Sequence, residues 1–405
     1  MASMIHNYRN AFGSFNRNVK LMLTYYALNN VANGVISVLL NLYFLKIGLN
    51  ENYLGSTVFV QSLSLGLLAL PFGMLADRIP KEKMIKLSYL LINVPYTGFL
   101  LFKNPIILLG LFVLQGVGSA MAAGAEIPYL TENTSTEARA YLFSLNTAMY
   151  LGGPVLGMAV GGYLPRLFGG ILRIAAESAD AYRMALVCSV VLFWTAGAAV
   201  LAIRRSPLIE SAPSPGPRRL SLKFSNPGIV LGLSLNRGII SLAASMFLPF
   251  ASVIMNQQFE MPSHVIGWVL TAQSLATSAG TLMVPTIAKK RGNLAAATIL
   301  QAMAIPFYVT LALAPNSGVF SLAYIVRGML ASMPYPLMET YMMESVGAAE
   351  RGAANAALNL VRYVLWAFGG KIGGALLGQK SFSTPMLLAS GVYTLGVCVL
   401  VVMLV

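Results

Sequence analysis

Apolar residues gather in twelve stretches, at approximately 19–45, 53–76, 84–102, 105–130, 140–164, 184–203, 227–254, 265–287, 294–313, 317–343, 354–377 and 384–405. A run of about 20 apolar residues crosses a bilayer as a helix. Lipid offers the backbone no partner, so each span satisfies its own N–H and C=O groups. The runs lack the alternation of a membrane barrel strand. One of them breaks its own rule. In YYALNNVANGVISVLLN, Tyr25 to Asn41, the residues Tyr25, Asn29, Asn33, Ser37 and Asn41 are spaced four apart, and Asn30 and Tyr26 widen the stripe. That spacing makes one helix face. Amides facing lipid are costly, so the stripe faces protein or water. It is either amide glue between helices or the wall of a hydrated path.

A 212-residue offset brings the halves of the chain into register. Gly55 meets Gly267, and Gln61-Ser62-Leu63 meets Gln273-Ser274-Leu275. Gly116 meets Gly328, Glu132 meets Glu344, Arg139 meets Arg351, and Gly157 meets Gly369. Under the same shift the stripe meets Arg237, Ser241, Ser245 and Pro249, again four apart, which favours a wall over glue. A Pro- and Ser-rich basic linker, 204–226, separates the copies. The sequence thus predicts an all-α membrane protein of twelve transmembrane helices in two six-helix pseudo-symmetric bundles, 1–203 and 227–405. Six spans per copy give both bundles the same orientation, the parallel repeat of some secondary transporters.

Composition narrows the function. Hydrophobic residues make up 57% and charged residues 10% of 405, against about 25% charged in soluble domains. The net charge of +14 could suggest nucleic acid. However, most Lys and Arg lie in the linker and in the loops on its side of the membrane, which reads as a topology signal. The expected placement is multi-pass in the plasma (inner) membrane, with both termini cytoplasmic and no cleavable leader. Cys188 and Cys398 fall within apolar runs, and His6 and His264 lie far apart, so no metal site or cofactor is expected. There is no nucleophile–base pair and no GxxxxGK[ST] loop, which argues against an enzyme and against ATP as the driving force.

Three arginines sit at mid-depth: Arg237, Arg327 and Arg362, with Tyr25, Gln115 and Tyr150 at the matching positions of the first copy. With no acidic partner apparent at that depth, they call for an anion, because a guanidinium suits carboxylate or phosphate. The competing reading is that they pair with carbonyls or stabilise an interface. The expected substrate wall is Tyr25, Asn29, Asn30, Asn33, Gln115, Tyr150, Arg237, Ser241, Arg327, Arg362 and Trp366. Glu126 and Glu339, within spans four and ten, are the proton-coupling candidates. Lys371 is expected to snorkel.

The loop GMLADRIPKEKMI, Gly73 to Ile85, resembles the Gly-x-Leu-Ala-Asp-Arg-x-Gly-Arg-Lys signature of the major facilitator superfamily. Pro80 stands for the second glycine, and in the second copy, PTIAKKRG, Lys289 replaces Asp77. FVLQGVGSA (112–120) is similar to the family's Arg-x-x-Gln-Gly-x-Gly-x-Ala pattern with Phe112 at the arginine. GGPVLGMAVGG (152–162) resembles the exporters' Gly-Pro-x-x-Gly-Gly pattern with Met158 at its last glycine. The resemblance implies a cavity lined by spans one and seven. It also implies gating by Gly73, Asp77, Arg78, Glu132, Arg139, Glu344 and Arg351. In the outward-facing state Asp77 would cap span eleven near Gly352, a contact worth about 0.3–1 kcal/mol. The expected function is secondary active transport of a small anionic or zwitterionic amphipathic solute by alternating access. The expected partners are that solute, protons and the bilayer, with no nucleic acid, and the chain is expected to act as a monomer. The alternatives are a proton-coupled multidrug exporter and a lipid or lysolipid flippase.

Overall fold

The computed structural model describes residues 8–404 apart from 10, 205–223 and 349, so nearly all of the expected linker lies outside the described residues. Its helices are α1 (Arg17–Lys46), α2 (Glu51–Leu75), α3 (Lys81–Leu101), α4 (Pro105–Glu132), α5 (Thr136–Gly161), α6 (Leu164–Leu172) and α7 (Ala179–Leu201) in the first copy. The second copy has α8 (Pro227–Ser245), α9 (Ala251–Phe259), α10 (Ser263–Arg291), α11 (Asn293–Ala312), α12 (Ser317–Ser332), α13 (Pro334–Ser345), α14 (Arg351–Gly378) and α15 (Ser383–Leu404). Twelve spans form two six-span bundles, with spans seven and ten each divided into two helices. The even number of crossings returns the chain to the face it started from, called here the termini face.

Both divisions have a backbone cause. Pro249 ends α8 in a short 3-10 turn, Leu248–Phe250, because proline lacks the N–H of the helical ladder. The carbonyl of Pro249 accepts a 2.6 Å bond from Asn41 Nδ2. In the tenth span Pro334 ends α12 and opens α13. The short α6, which the hydropathy pattern does not reveal, ends at Arg173 in a left-handed conformation (φ 56°). On the termini face, Ser225 donates through its backbone N–H and its hydroxyl to Glu350, just ahead of α14, and these bonds hold the Glu350 carboxyl below the ordinary carboxylate range.

The sequence repeat reappears as repeated packing. α1 packs on α5 where Gly157 faces the Val31 carbonyl and Gly34, and α8 packs on α14 where Gly369 faces the Leu242 carbonyl and Ser245. Backbones that approach this closely admit no side chain. Gly369→Ala is therefore expected to destabilise the protein by about 1–3 kcal/mol, seen as a lower Tm in detergent. An unchanged Tm would contradict the packing.

Candidate functional site

The bundles touch along α2·α14 and α5·α10. Among the described residues, every side-chain hydrogen bond that crosses between them lies in the half of the molecule away from the termini. Lys371 Nζ donates to Ser56 Oγ at 2.7 Å and Asn52 Oδ1 at 3.3 Å. Ser263 Oγ donates to the Gly162 carbonyl and to Glu177, both at 3.0 Å. Gln257 donates to Glu51, Trp268 to Tyr163, and Thr271 to the Val155 carbonyl. Gly55 lies against Gly370 and Gly374, and Gly162 against Gly267. The ties between the bundles thus gather on the far face, and among the described residues no side-chain hydrogen bond joins the bundles on the termini face. Lys371, expected to snorkel, is instead a crossing tie. Lys371→Met is expected to weaken that closure by about 1 kcal/mol, roughly a fivefold shift in population, read as increased labelling of single cysteines from the far side. No change would exclude the tie.

In the second bundle a small void of about 30 Å³ is lined by Asn236, Arg237, Ser241, Gln301, Tyr335 and Met338 among others. Arg237 Nη1 bonds Glu339 Oε1 at 2.6 Å and Nε bonds the Tyr335 hydroxyl at 3.1 Å, with the guanidinium 4.4 Å from the Tyr335 ring centre. This corrects the expectation that the mid-depth arginines lack acidic partners. The helix restarts at Pro334, so Tyr335 and Glu339, four apart, share one face of α13, and that face meets α8. Tyr335 was missed by the sequence reading; its signal was this Tyr/Glu spacing directly after a proline.

Arg327 is corrected differently. It is 4% exposed, with its guanidinium 5.2 Å from the Phe247 ring centre and 5.0 Å from that of Tyr308, inside the second bundle rather than on the void's wall. Arg362 is half-buried over the ring of Tyr363 at 3.9 Å, and its Nε finds no partner. Trp366, one turn further along α14, is also half-buried.

The asparagine stripe divides in two. Asn29, Asn33 and Ser37 stay partly open, with Asn33 Nδ2 donating to the Asn29 carbonyl and its Oδ1 accepting from Tyr96. Asn30 is buried, bonds the Tyr26 carbonyl and packs on Gly153 of α5. Asn30 and Asn41 therefore act as glue. Tyr25 lies in the bundle core against Tyr26 and Tyr89 rather than on an open wall. Gln115 is likewise buried and accepts 2.7 Å from Gln61 Nε2, tying α2 to α4. Glu126 accepts 2.8 Å from the Tyr26 hydroxyl. Tyr150 stands 68% exposed on α5.

The expected gating residues behave as two sets. Arg139 donates to the Thr131 carbonyl at 3.2 Å and Arg351 to the Met343 carbonyl at 3.0 Å, the same bond in each copy. A cation at a helix C-terminus satisfies its last carbonyls, so the matched arginines cap α4 and α13 rather than bridging to Glu132 or Glu344. Glu132 pairs with Lys81 at 2.7 Å, and Glu344 accepts from Asn293 at 3.3 Å. Gly124 lets α4 approach the α2 backbone at Gly73, whereas a Cβ on Gly73 itself would point into open space. Asp77 and Arg78 are exposed, and nothing lies where a Cβ on Gly352 would point, so Asp77 does not cap α14 in this conformation.

Solved transporters share this architecture. The nucleoside transporter NupG (D323A mutant) superposes with a TM-score of 0.74 at 11% identity, covering 96% of this chain and 100% of that one. A bacterial homolog of the human lysosomal transporter Spinster, inward-facing and occupied, gives 0.75 at 16% identity, covering 95% of each chain. An uncharacterised MFS-type transporter of Methanocaldococcus jannaschii is 29% identical over 119 residues, 26% of this chain, and the match spans only 28% of that relative's length. The Major Facilitator Superfamily model matches twice, over residues 22–236 and 233–405. Its two matches fall on the two halves that the 212-residue offset relates, and the chain belongs to the Major Facilitator Superfamily, whose members here are transporters and not enzymes.

Proposed function

We propose that this transporter moves a small organic anion or zwitterion with an apolar part across the plasma membrane, with the termini face cytoplasmic. Bundles 1–203 and 227–405, joined by the linker 204–226, rock about the cavity as rigid bodies and expose it to each side in turn. The observation that carries this reading is the Arg237–Glu339 pair, whose arginine lines the void. A resting Arg237 is neutralised by Glu339. When Glu339 takes up a proton, the guanidinium is released to a carboxylate or phosphate of the solute. Solute and proton then enter one event, and the charge state of Glu339 reports which is bound. Asn29, Asn33, Ser241, Tyr150 and Trp366 supply polar and aromatic contacts, Arg362 a second cation, and Glu126, held by Tyr26, a second proton site or an anchor for an amine. The test is counterflow in proteoliposomes with radiolabelled carboxylates and phosphate esters. Arg237→Ala should lower apparent affinity about 100-fold, the scale of a lost charge-assisted bond of roughly 2–3 kcal/mol. Unchanged counterflow would refute the assignment.

One observation favours a second reading, a lysolipid as the solute. On α5, Phe143, Ser144, Thr147 and Leu151 line a shallow, mostly apolar groove that is open to its surroundings. Both readings place the head group on Arg237. Competition of counterflow by lysophospholipid, but not by short-chain phosphate esters, would select the lipid.

A further inference from the structure

The second bundle holds a constellation that the transport cycle does not use. Arg327 lies on α12 one turn beyond Ala331, on the side of the void away from the termini face. It is 4% exposed, and neither Nε nor Nη1 finds a hydrogen-bond partner among the described residues. No carboxylate among the described residues pairs with it. Tyr308 of α11 lies under its guanidinium and packs against Tyr393 of α15, the rings tilted and their centres 4.6 Å apart. Both tyrosines are fully buried, and both hydroxyls also lack partners.

All of these groups are hydrogen-bond donors. A guanidinium has no acceptor, and a phenol completes its set by donating its proton. The aromatic rings of Phe247 and Tyr308 soften the charge through their π faces, but they leave the N–H groups unsatisfied. A buried cation among donors is strongly unfavourable alone, and it becomes favourable when one negative acceptor serves several donors together. An ordinary core would have placed a Gln or Met here, as the first copy places Gln115, which bonds Gln61.

We propose that Arg327, Tyr308 and Tyr393 form a binding site for a small inorganic anion of the halide class, resident in the second bundle and separate from the transported solute. The ion accepts from the guanidinium and the two phenols and joins α11, α12 and α15. Its role is that of a counter-ion that completes the bundle's packing. The inference does not depend on the nature of the solute or on Glu339.

The test is thermal unfolding of the purified protein at constant ionic strength, with chloride or bromide exchanged for gluconate. Chloride and bromide should raise the Tm along a saturating curve, since binding to the folded state alone stabilises it. Arg327→Gln should lose that dependence. If Arg327→Gln fails to fold, the double variant Tyr308→Phe/Tyr393→Phe, which keeps both rings, should shift the half-saturating concentration at least tenfold upward. A crystal soaked in bromide should show anomalous signal between these three side chains. A wild-type Tm that is indifferent to halide, or a halide response retained in Arg327→Gln, would overturn the proposal. Because Arg237→Ala leaves these residues untouched, its Tm should keep the full halide response, and loss of that response would assign the effect to the central cavity instead.

Discussion

Glu339→Gln should leave a protein that still binds and exchanges its solute but no longer accumulates it on a proton gradient. In the wild type, acid should strengthen solute binding. Protonating Glu339 removes the internal competitor for Arg237, which sits 2.6 Å away and is only 10% exposed. The sign follows from which partner is displaced: with Glu339 ionised the pair is intact and the solute must break it, and with Glu339 neutral the guanidinium is free. The glutamine is neutral at every pH, so the variant should show the acid-like affinity throughout. At alkaline pH it should bind about tenfold more tightly than the wild type, for a competing interaction of about 1.4 kcal/mol. Equilibrium binding across a pH series, beside counterflow and gradient-driven uptake, separates the outcomes. If binding in Glu339→Gln follows pH as steeply as in the wild type, the proton resides elsewhere, with Glu126 the next residue to test.

Gly55→Leu should abolish net transport altogether. A Cβ at Gly55 would lie 2.9 Å from the Gly370 carbonyl oxygen and 3.0 Å from the Cα of Gly374, so the smallest side chain already collides with backbone. The two bundles meet there only in the closed state of the far face, and the larger leucine wedges it open. The bundle interiors are untouched, so the protein should still fold. A cysteine at Ser37, on the open side of α1, should become reactive toward a membrane-impermeant thiol reagent applied to the far side. A variant that transports normally, or one whose Ser37→Cys stays protected, would mean that the α2·α14 contact is not the gate.

The architecture was largely legible in the sequence because its signals are long and redundant. Hydropathy gives the spans, and the matched glycines mark close helix crossings whose partners, Val31 and Leu242, sit at nearly matching positions of the two copies. The site was less legible, for local reasons. Spacing of four assigns residues to a helix face but not to a neighbour, so Asn30 and Asn29 read alike, although one is buried against Gly153 and the other is only partly buried. Depth along a span says nothing about rotation, and so Arg327 and Arg237 appeared equivalent while one is enclosed by rings and the other reaches a void. The pairing of Arg237 with Glu339 depends on the break at Met333–Pro334, which restarts the helix on a new axis. The matched Glu132/Arg139 and Glu344/Arg351 loops were correctly read as a repeat, but their arginines cap helix ends instead of making ion pairs. Only coordinates distinguish a carbonyl from a carboxylate as a partner.

The central claim is that a solute anion takes the place of Glu339 on Arg237. A thermal-stability screen of the detergent-purified protein against matched anionic, zwitterionic, neutral and cationic amphipathic solutes measures this most directly, with Arg237→Ala alongside. The account predicts that anionic and zwitterionic solutes raise the Tm of the wild type, more so in acid, and leave Arg237→Ala unmoved. Stabilisation by cationic or neutral solutes alone, persisting in Arg237→Ala, would contradict it.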